Sequence, residues 1–161
     1  MVTCFWHWFR GRTHWPKDYT LFYTTFLLSD RKSESYALQW KHTNFSTGEI
    51  LIEQALDCFG NVKSTKGNKK TLFKAPTKLM ELLANGKVKQ QEELKLFGLR
   101  QTQKQFVFTY NDRTNNINLL LHTDYLNYRM KSVRRRHPEL EPASPHKLRH
   151  TGATLAKQAG V

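Results

Sequence analysis

The sequence predicts an α+β fold, mostly helical, with one small antiparallel sheet near the middle of the chain. Three observations carry that expectation. Tyr19, Phe22 and Phe26 recur at i, i+3 and i+7, the spacing of one helix face. From Glu49 the pattern becomes alternating, with Ile50 and Ile52 set against Glu49, Leu51 and Glu53, as in a half-buried strand. The C-terminal third returns to helical patterning, with a clear start signal at Ser144-Pro145.

The elements follow in order. An aromatic helix candidate opens the chain and breaks around Gly11 and Pro16. Asp18 is placed to cap the next helix, which runs into Ser29-Asp30-Arg31. Ser33 reads as a fresh N-cap for a third helix, Glu34 through Trp40. After the turn Ser46 to Gly48 comes the strand of Glu49 to Glu53. A second strand, Thr71 to Ala75, follows the turn-rich "KGNKK". Thr77 to Gly86 reads as a helix ended by its glycine, and Lys87 to Leu96 as helical too. Gln105 to Tyr110 is a short strand or extended core segment. His122 to Arg136 forms a helix capped by Thr123, and the loop His137 to Pro145 leads into a last helix that Gly160 stops. There is no internal repeat.

Composition narrows the function. A chain of 161 residues is one ordinary domain with room for a core. Its 39% hydrophobic and 12% aromatic content excludes a disordered basic tail. The formal charge is +13, from 26 basic and 13 acidic residues, which points to a polyanion and first of all to nucleic acid. No apolar run reaches spanning length and no signal peptide is visible, so no membrane is expected and a cytoplasmic location is. Two cysteines make no disulfide framework. Cys4, His7 and His14 lack a second ligand pair, so no metal or other cofactor is expected.

The positive charge is concentrated. Lys63, Lys66, Lys69, Lys70 and Lys74 fall between Val62 and Lys74 without one acid, on what reads as a hairpin tip. Arg129, Lys131, Arg134, Arg135 and Arg136 close a helix. Each block alone is equally well a solvated edge. Together with "SPHKLRHTGATL" they favour a phosphate-lined surface. In that last helix His146, Arg149, His150 and Ala153 share one face, opposite Leu148, Gly152, Leu155 and Ala159. A helix N-terminus already carries positive potential, so the basic side chains there are poorly placed unless an anion arrives.

"HKLRHTGATLAKQAGV" resembles the second signature box of the tyrosine recombinases, the family of phage integrases and Xer-type recombinases. "STKGNKKTLFKA" is similar to their lysine-bearing β-hairpin, and "LLSDRKSESYALQW" to their first box. The three occur in family order, from about Tyr19 to Val161. The resemblance implies four catalytic residues: Arg31, Lys66, His146 and Arg149, with Glu34 beside Arg31. Lys63 is a rival to Lys66, because the hairpin is longer than usual around Leu56 to Lys63. Lys63, Lys69, Lys70, Arg134, Arg135 and Arg136 are the expected DNA contacts. Ser29-Asp30 and Ser33 depart from the family's usual residues around the arginine.

What the resemblance implies is site-specific integration or recombination of a mobile element. A tyrosine attacks the scissile phosphate, leaves a 3′-phosphotyrosyl link and a free 5′-hydroxyl, and the reverse step joins another strand. No metal takes part, so fixed guanidiniums meet the charge on the phosphoryl oxygens. The partners are double-stranded DNA and other recombinase protomers in a tetrameric synapse. The nucleophilic tyrosine follows the second box in the family, yet all six tyrosines here precede it. The expectation is therefore a single partial catalytic domain over residues 1–161, inactive in cleavage, without the family's N-terminal DNA-binding domains and C-terminal tyrosine segment. His150 is expected to support helix packing. Two other readings stand beside this one: a non-catalytic DNA-binding regulatory module derived from an integrase, and a histidine phosphatase suggested by "RHTG". The second wants that motif at the end of an N-terminal strand.

Overall fold

A computed structural model describes residues 16–28, 31–112, 114, 116–139 and 144–158. The aromatic opening and the Cys4, His7 and His14 group lie outside them. Among the described residues five helices dominate: α1 (Pro16–Leu28), α2 (Lys32–Tyr36), α3 (Thr77–Leu96), α4 (Tyr125–Arg136) and α5 (Pro145–Gln158). The strands are β1 (Thr43–Asn44), β2 (Glu49–Ile52), β3 (Gln54–Leu56), β4 (Val62–Ser64), β5 (Thr71–Lys74), β6 (Thr109–Tyr110) and β7 (Leu119–Leu120). Among the described residues they form three antiparallel sheets rather than one: β1-β2-β5, β3-β4 and β6-β7. The third was not expected from the sequence.

The alternation around Ile50 does what it predicts, since Ile50 and Ile52 point into the core. In register, Ile50 pairs with Phe73 and Ile52 with Thr71. Both strands then overrun that ladder. Beyond Glu53 the outgoing strand continues as β3, turns at Asp57–Asn61 and returns as β4, with Leu56 opposite Val62. The return path bulges at Thr65–Lys70 before it rejoins the sheet as β5. Lys66 therefore opens a 3-10 turn, Lys66–Asn68, in the bulge and does not sit on the hairpin tip.

Helix boundaries differ from the expectation wherever tertiary contacts compete with local signals. α1 starts at Pro16, so Asp18 lies inside its first turn and is buried. α2 is a single turn after Arg31, not a helix from Glu34 to Trp40. The chain leaves it to pair with Gln105–Val107: Val107 N–H donates to Leu38 O at 2.8 Å and Trp40 N–H to Gln105 O at 3.1 Å. α3 runs straight through Gly86, whose cost of about 1 kcal/mol is outweighed by the burial of Leu79, Leu83 and Leu94 on one face. Its stop is Gly98, at φ 70°. There Leu99 N–H reaches Leu94 O and Gly98 N–H reaches Lys95 O, the paired bonds of a Schellman cap. α4 begins at Tyr125 after Asp124, because His122 and Thr123 form the preceding turn.

Trp40, Tyr36, Phe22, Ile50 and Leu83 anchor the core. The indole N–H of Trp40 donates to Gln90 Oε1 at 2.7 Å. Gln90 Nε2 in turn donates to Phe106 O at 3.0 Å, tying α3 to the extended segment. α1 is the shared support: α5, α3 and α2 all pack against it. From α4, Tyr125 Oη donates to Asp18 at 2.8 Å and Arg129 Nε to the same carboxylate at 2.6 Å. Burial holds the Asp18 carboxyl above its ordinary value against the pull of Arg129. Tyr36 Oη accepts the Leu126 N–H at 3.0 Å, and burial pushes this phenol up to about 12. These tyrosines are packing residues.

Candidate functional site

Arg31 is the N-cap of α2, with extended backbone at φ −77° and ψ 142°. Glu34, one turn on, closes half of a capping box: its Oε2 accepts the Arg31 backbone N–H at 2.8 Å. Its Oε1 accepts from Arg31 NH1 at 3.2 Å. The carboxylate is nearly buried and the guanidinium half exposed, so one arginine edge is fixed while the side chain still faces solvent.

Lys66 is held by its loop. Gly67 at φ 78° and Asn68 at φ 53° are left-handed, which tightens the turn; space around Gly67 is open, so the backbone angle alone calls for glycine there. Asn68 N–H donates to Thr65 O at 2.9 Å, and buried Thr65 closes the loop through its hydroxyl to Lys69 O. Glu53, at the break between β2 and β3, fastens both ends. Its backbone carbonyl accepts from Thr65 N–H at 3.4 Å, and its Oε2 pairs with Lys70 Nζ at 2.9 Å. The other carboxylate oxygen lies 3.2 Å from Nε2 of buried His42, without the alignment of a full hydrogen bond. His42 Nδ1 accepts the Gln39 N–H at 3.1 Å, which places the imidazole proton on Nε2, facing Glu53. Burial, aided by Lys41, keeps His42 below its ordinary value, whereas the Lys70 hydrogen bond keeps Glu53 below its own.

The lysines of this region are not equivalent. Lys63, on β4, pairs with Asp57 at 2.9 Å. The Lys63 ammonium and the N–H groups of Asn61 hold that carboxylate well below the usual range. Lys74 donates to Thr47 O. Lys66 and Lys69 make no ion pair with any described residue. Of the two rival lysines, Lys63 has its ammonium paired with a described carboxylate.

α5 starts as its sequence predicts. Ser144 Oγ accepts the Lys147 N–H at 3.1 Å, and Pro145 occupies the first helical position. His146 and His150 are both exposed, and their Nε2 atoms lie 2.9 Å apart, with ring centroids 4.3 Å apart and planes at 81°. His150 therefore contacts His146 and does not pack on the domain as expected. The sequence signal was their i, i+4 spacing on one face. Gly152, on the opposite face, is buried. Arg149 lies in α5 between the two histidines, and its side chain and the Gly160 stop lie outside the described residues.

Arg134, Arg135 and Arg136 form the exposed last turn of α4, where Arg136 caps back onto Ser132, Nε to O at 3.2 Å. Arg31 and His146 come from helices that both rest on α1, although more than a hundred residues separate them in sequence. Nothing in the spacing of Glu53 and Thr65 announces the loop that they hold, nor in that of His42 its place beside Glu53. Among the described residues, no group of three or more His, Cys, Asp or Glu side chains converges, and no helix is long and apolar enough to cross a membrane.

This arrangement is the fold of the tyrosine recombinase catalytic domain. It is similar to the Tn1549 transposon integrase in complex with a circular intermediate DNA, at 17% identity and TM-score 0.75, covering 99% of this chain and 52% of that one. The same integrase bound to transposon right end DNA gives 0.73 at the same coverage. The XerA recombinase gives 0.63 at 16% identity, over 91% of this chain and 45% of that one. The chain thus spans about half the length of the structures that it matches. No protein-family model and no curated protein matches the sequence.

Proposed function

We propose that this chain is part of the catalytic domain of a site-specific recombinase, which cuts and rejoins duplex DNA at the mobile element it serves. The observation that carries the reading is that the shared fold bears Arg31, clamped by Glu34, and the His146-x-x-Arg149 box on helices with one common support. Arg31 and Arg149 bind the non-bridging oxygens of the scissile phosphate as the pentacoordinate state gathers charge. Lys66 protonates the departing 5′-oxygen. His146 takes the proton of the attacking tyrosine or binds the phosphate. Lys69, Arg134 and Arg135 contact flanking phosphates, while Lys63 and Lys70 first give up their internal partners.

On this reading the nucleophile comes from outside these 161 residues, because no tyrosine follows the box. The chain alone should trap no covalent adduct on a nicked suicide substrate. A longer protein that contains it, with its tyrosine segment and synaptic partners, should trap one. Arg149→Ala there should abolish trapping, and Arg149→Lys should restore little, since a point charge does not replace a bidentate fork. An adduct on the 161-residue chain would overturn the assignment of the nucleophile. DNA binding by the longer protein without any adduct would favour the non-catalytic regulatory module instead.

A further inference from the structure

The histidine pair on α5 offers chemistry that strand exchange does not call for. We infer that His146 and His150 form a two-point chelate for a tetragonal divalent cation of the copper or nickel type. One turn of helix brings both rings to the same face, and both are exposed, so an ion reaches them without displacing the core. Their Nε2 atoms stand 2.9 Å apart, a separation that holds a single proton between two lone pairs. A metal ion takes the place of that proton once the donating ring carries its N–H on Nδ1, so that both Nε2 lone pairs face the ion.

The separation also selects the ion. Metal–imidazole bonds of about 2.0–2.1 Å give an N···N distance of about 2.9 Å at a right angle, and about 3.3–3.4 Å at the tetrahedral angle. The pair matches the right angle, the geometry of Cu²⁺ and Ni²⁺, while zinc needs the rings to spread. Water or a phosphate oxygen completes the coordination, since no third protein ligand converges among the described residues. A bound cation occupies the lone pair that His146 uses on a phosphate or a proton.

The test is calorimetric titration of the 161-residue chain with Ni²⁺ alone, then Zn²⁺, with Cu²⁺ binding read by electron paramagnetic resonance for two-nitrogen coupling. It contains no DNA, so its failure is separate from failure of the recombinase reading. One Ni²⁺ equivalent is expected, tighter than Zn²⁺ and lost in both His146→Gln and His150→Gln. The double variant His7→Gln/His14→Gln should retain it. Circular dichroism confirms that each variant is folded, and both substituted histidines are exposed. Retention of the equivalent in either α5 variant, its loss in the His7/His14 variant, or tighter binding of Zn²⁺ than of Ni²⁺ would overturn the inference.

Discussion

Glu34 grips Arg31 at two points, the backbone N–H at 2.8 Å and the guanidinium NH1 at 3.2 Å. One carboxylate thus caps a one-turn helix and aims the side chain that the recombinase reading places on the phosphate. Local structure and function meet in the same pair of bonds.

Removing that carboxylate should therefore cost stability. Glu34→Ala loses both bonds, and after discounting for the half-exposed guanidinium about 1–2 kcal/mol is expected in urea unfolding. Glu34→Gln keeps an acceptor for the backbone N–H and should lose less. Equal losses in the two variants would show that the cap contributes nothing.

The DNA surface should be uneven. If four to six phosphates are neutralised, the log–log salt slope of duplex binding is about −4 to −5. Lys66→Gln/Lys69→Gln should flatten it by about two, because these ammoniums have no internal partner among the described residues. Lys63→Gln/Lys70→Gln should flatten it less, since Asp57 and Glu53 compete with the phosphates for them. Fluorescence anisotropy across a salt series separates the two pairs, and absence of binding at low salt by the folded chain would refute the DNA surface.

Stability should fall on mild acidification through His42. Its folded value lies below the ordinary 6.5 because of burial. Above 6.5 both folded and unfolded chains hold it neutral. As the pH drops below 6.5 the unfolded chain takes up a proton first, so stability is lost until the lowered folded value is reached and then levels off. Glu53, with a folded value below 4.5, adds its loss only in more acidic solution. Urea midpoints measured between pH 7.5 and 5 should show this slope, and His42→Gln should flatten it.

Gln90 should be costly to replace. It satisfies the buried Trp40 indole N–H and the Phe106 carbonyl at once. Gln90→Leu leaves the indole N–H unpaired and the Phe106 carbonyl with the long 3.4 Å bond from Gln105 Nε2, and a loss of about 2 kcal/mol is expected. A double-mutant cycle with Trp40→Phe should show strong coupling, as groups in one hydrogen-bond network do.

Much of the local order is written in short-range pattern. The alternation around Ile50, the start of α5 at Ser144-Pro145 and the helical spacing of Phe22 and Phe26 each depend on neighbours within one turn or one strand, so a reader of the chain finds them. Arg31, Lys66, His146 and Arg149 are singled out by the resemblance of the motif boxes alone. Other features rest on residues far apart in the chain. α2 stops after one turn because Gln105–Val107 pairs with Leu38 and Trp40. α3 ignores Gly86 because its buried face outweighs one poor helix former. Lys66 sits in a bulge rather than at a tip, and Glu53, from the break between β2 and β3, fastens that bulge through Lys70 and Thr65 while His42 lies beside it. A buried carboxylate or imidazole takes its partners from whatever packing brings near it, and sequence spacing carries no record of that packing.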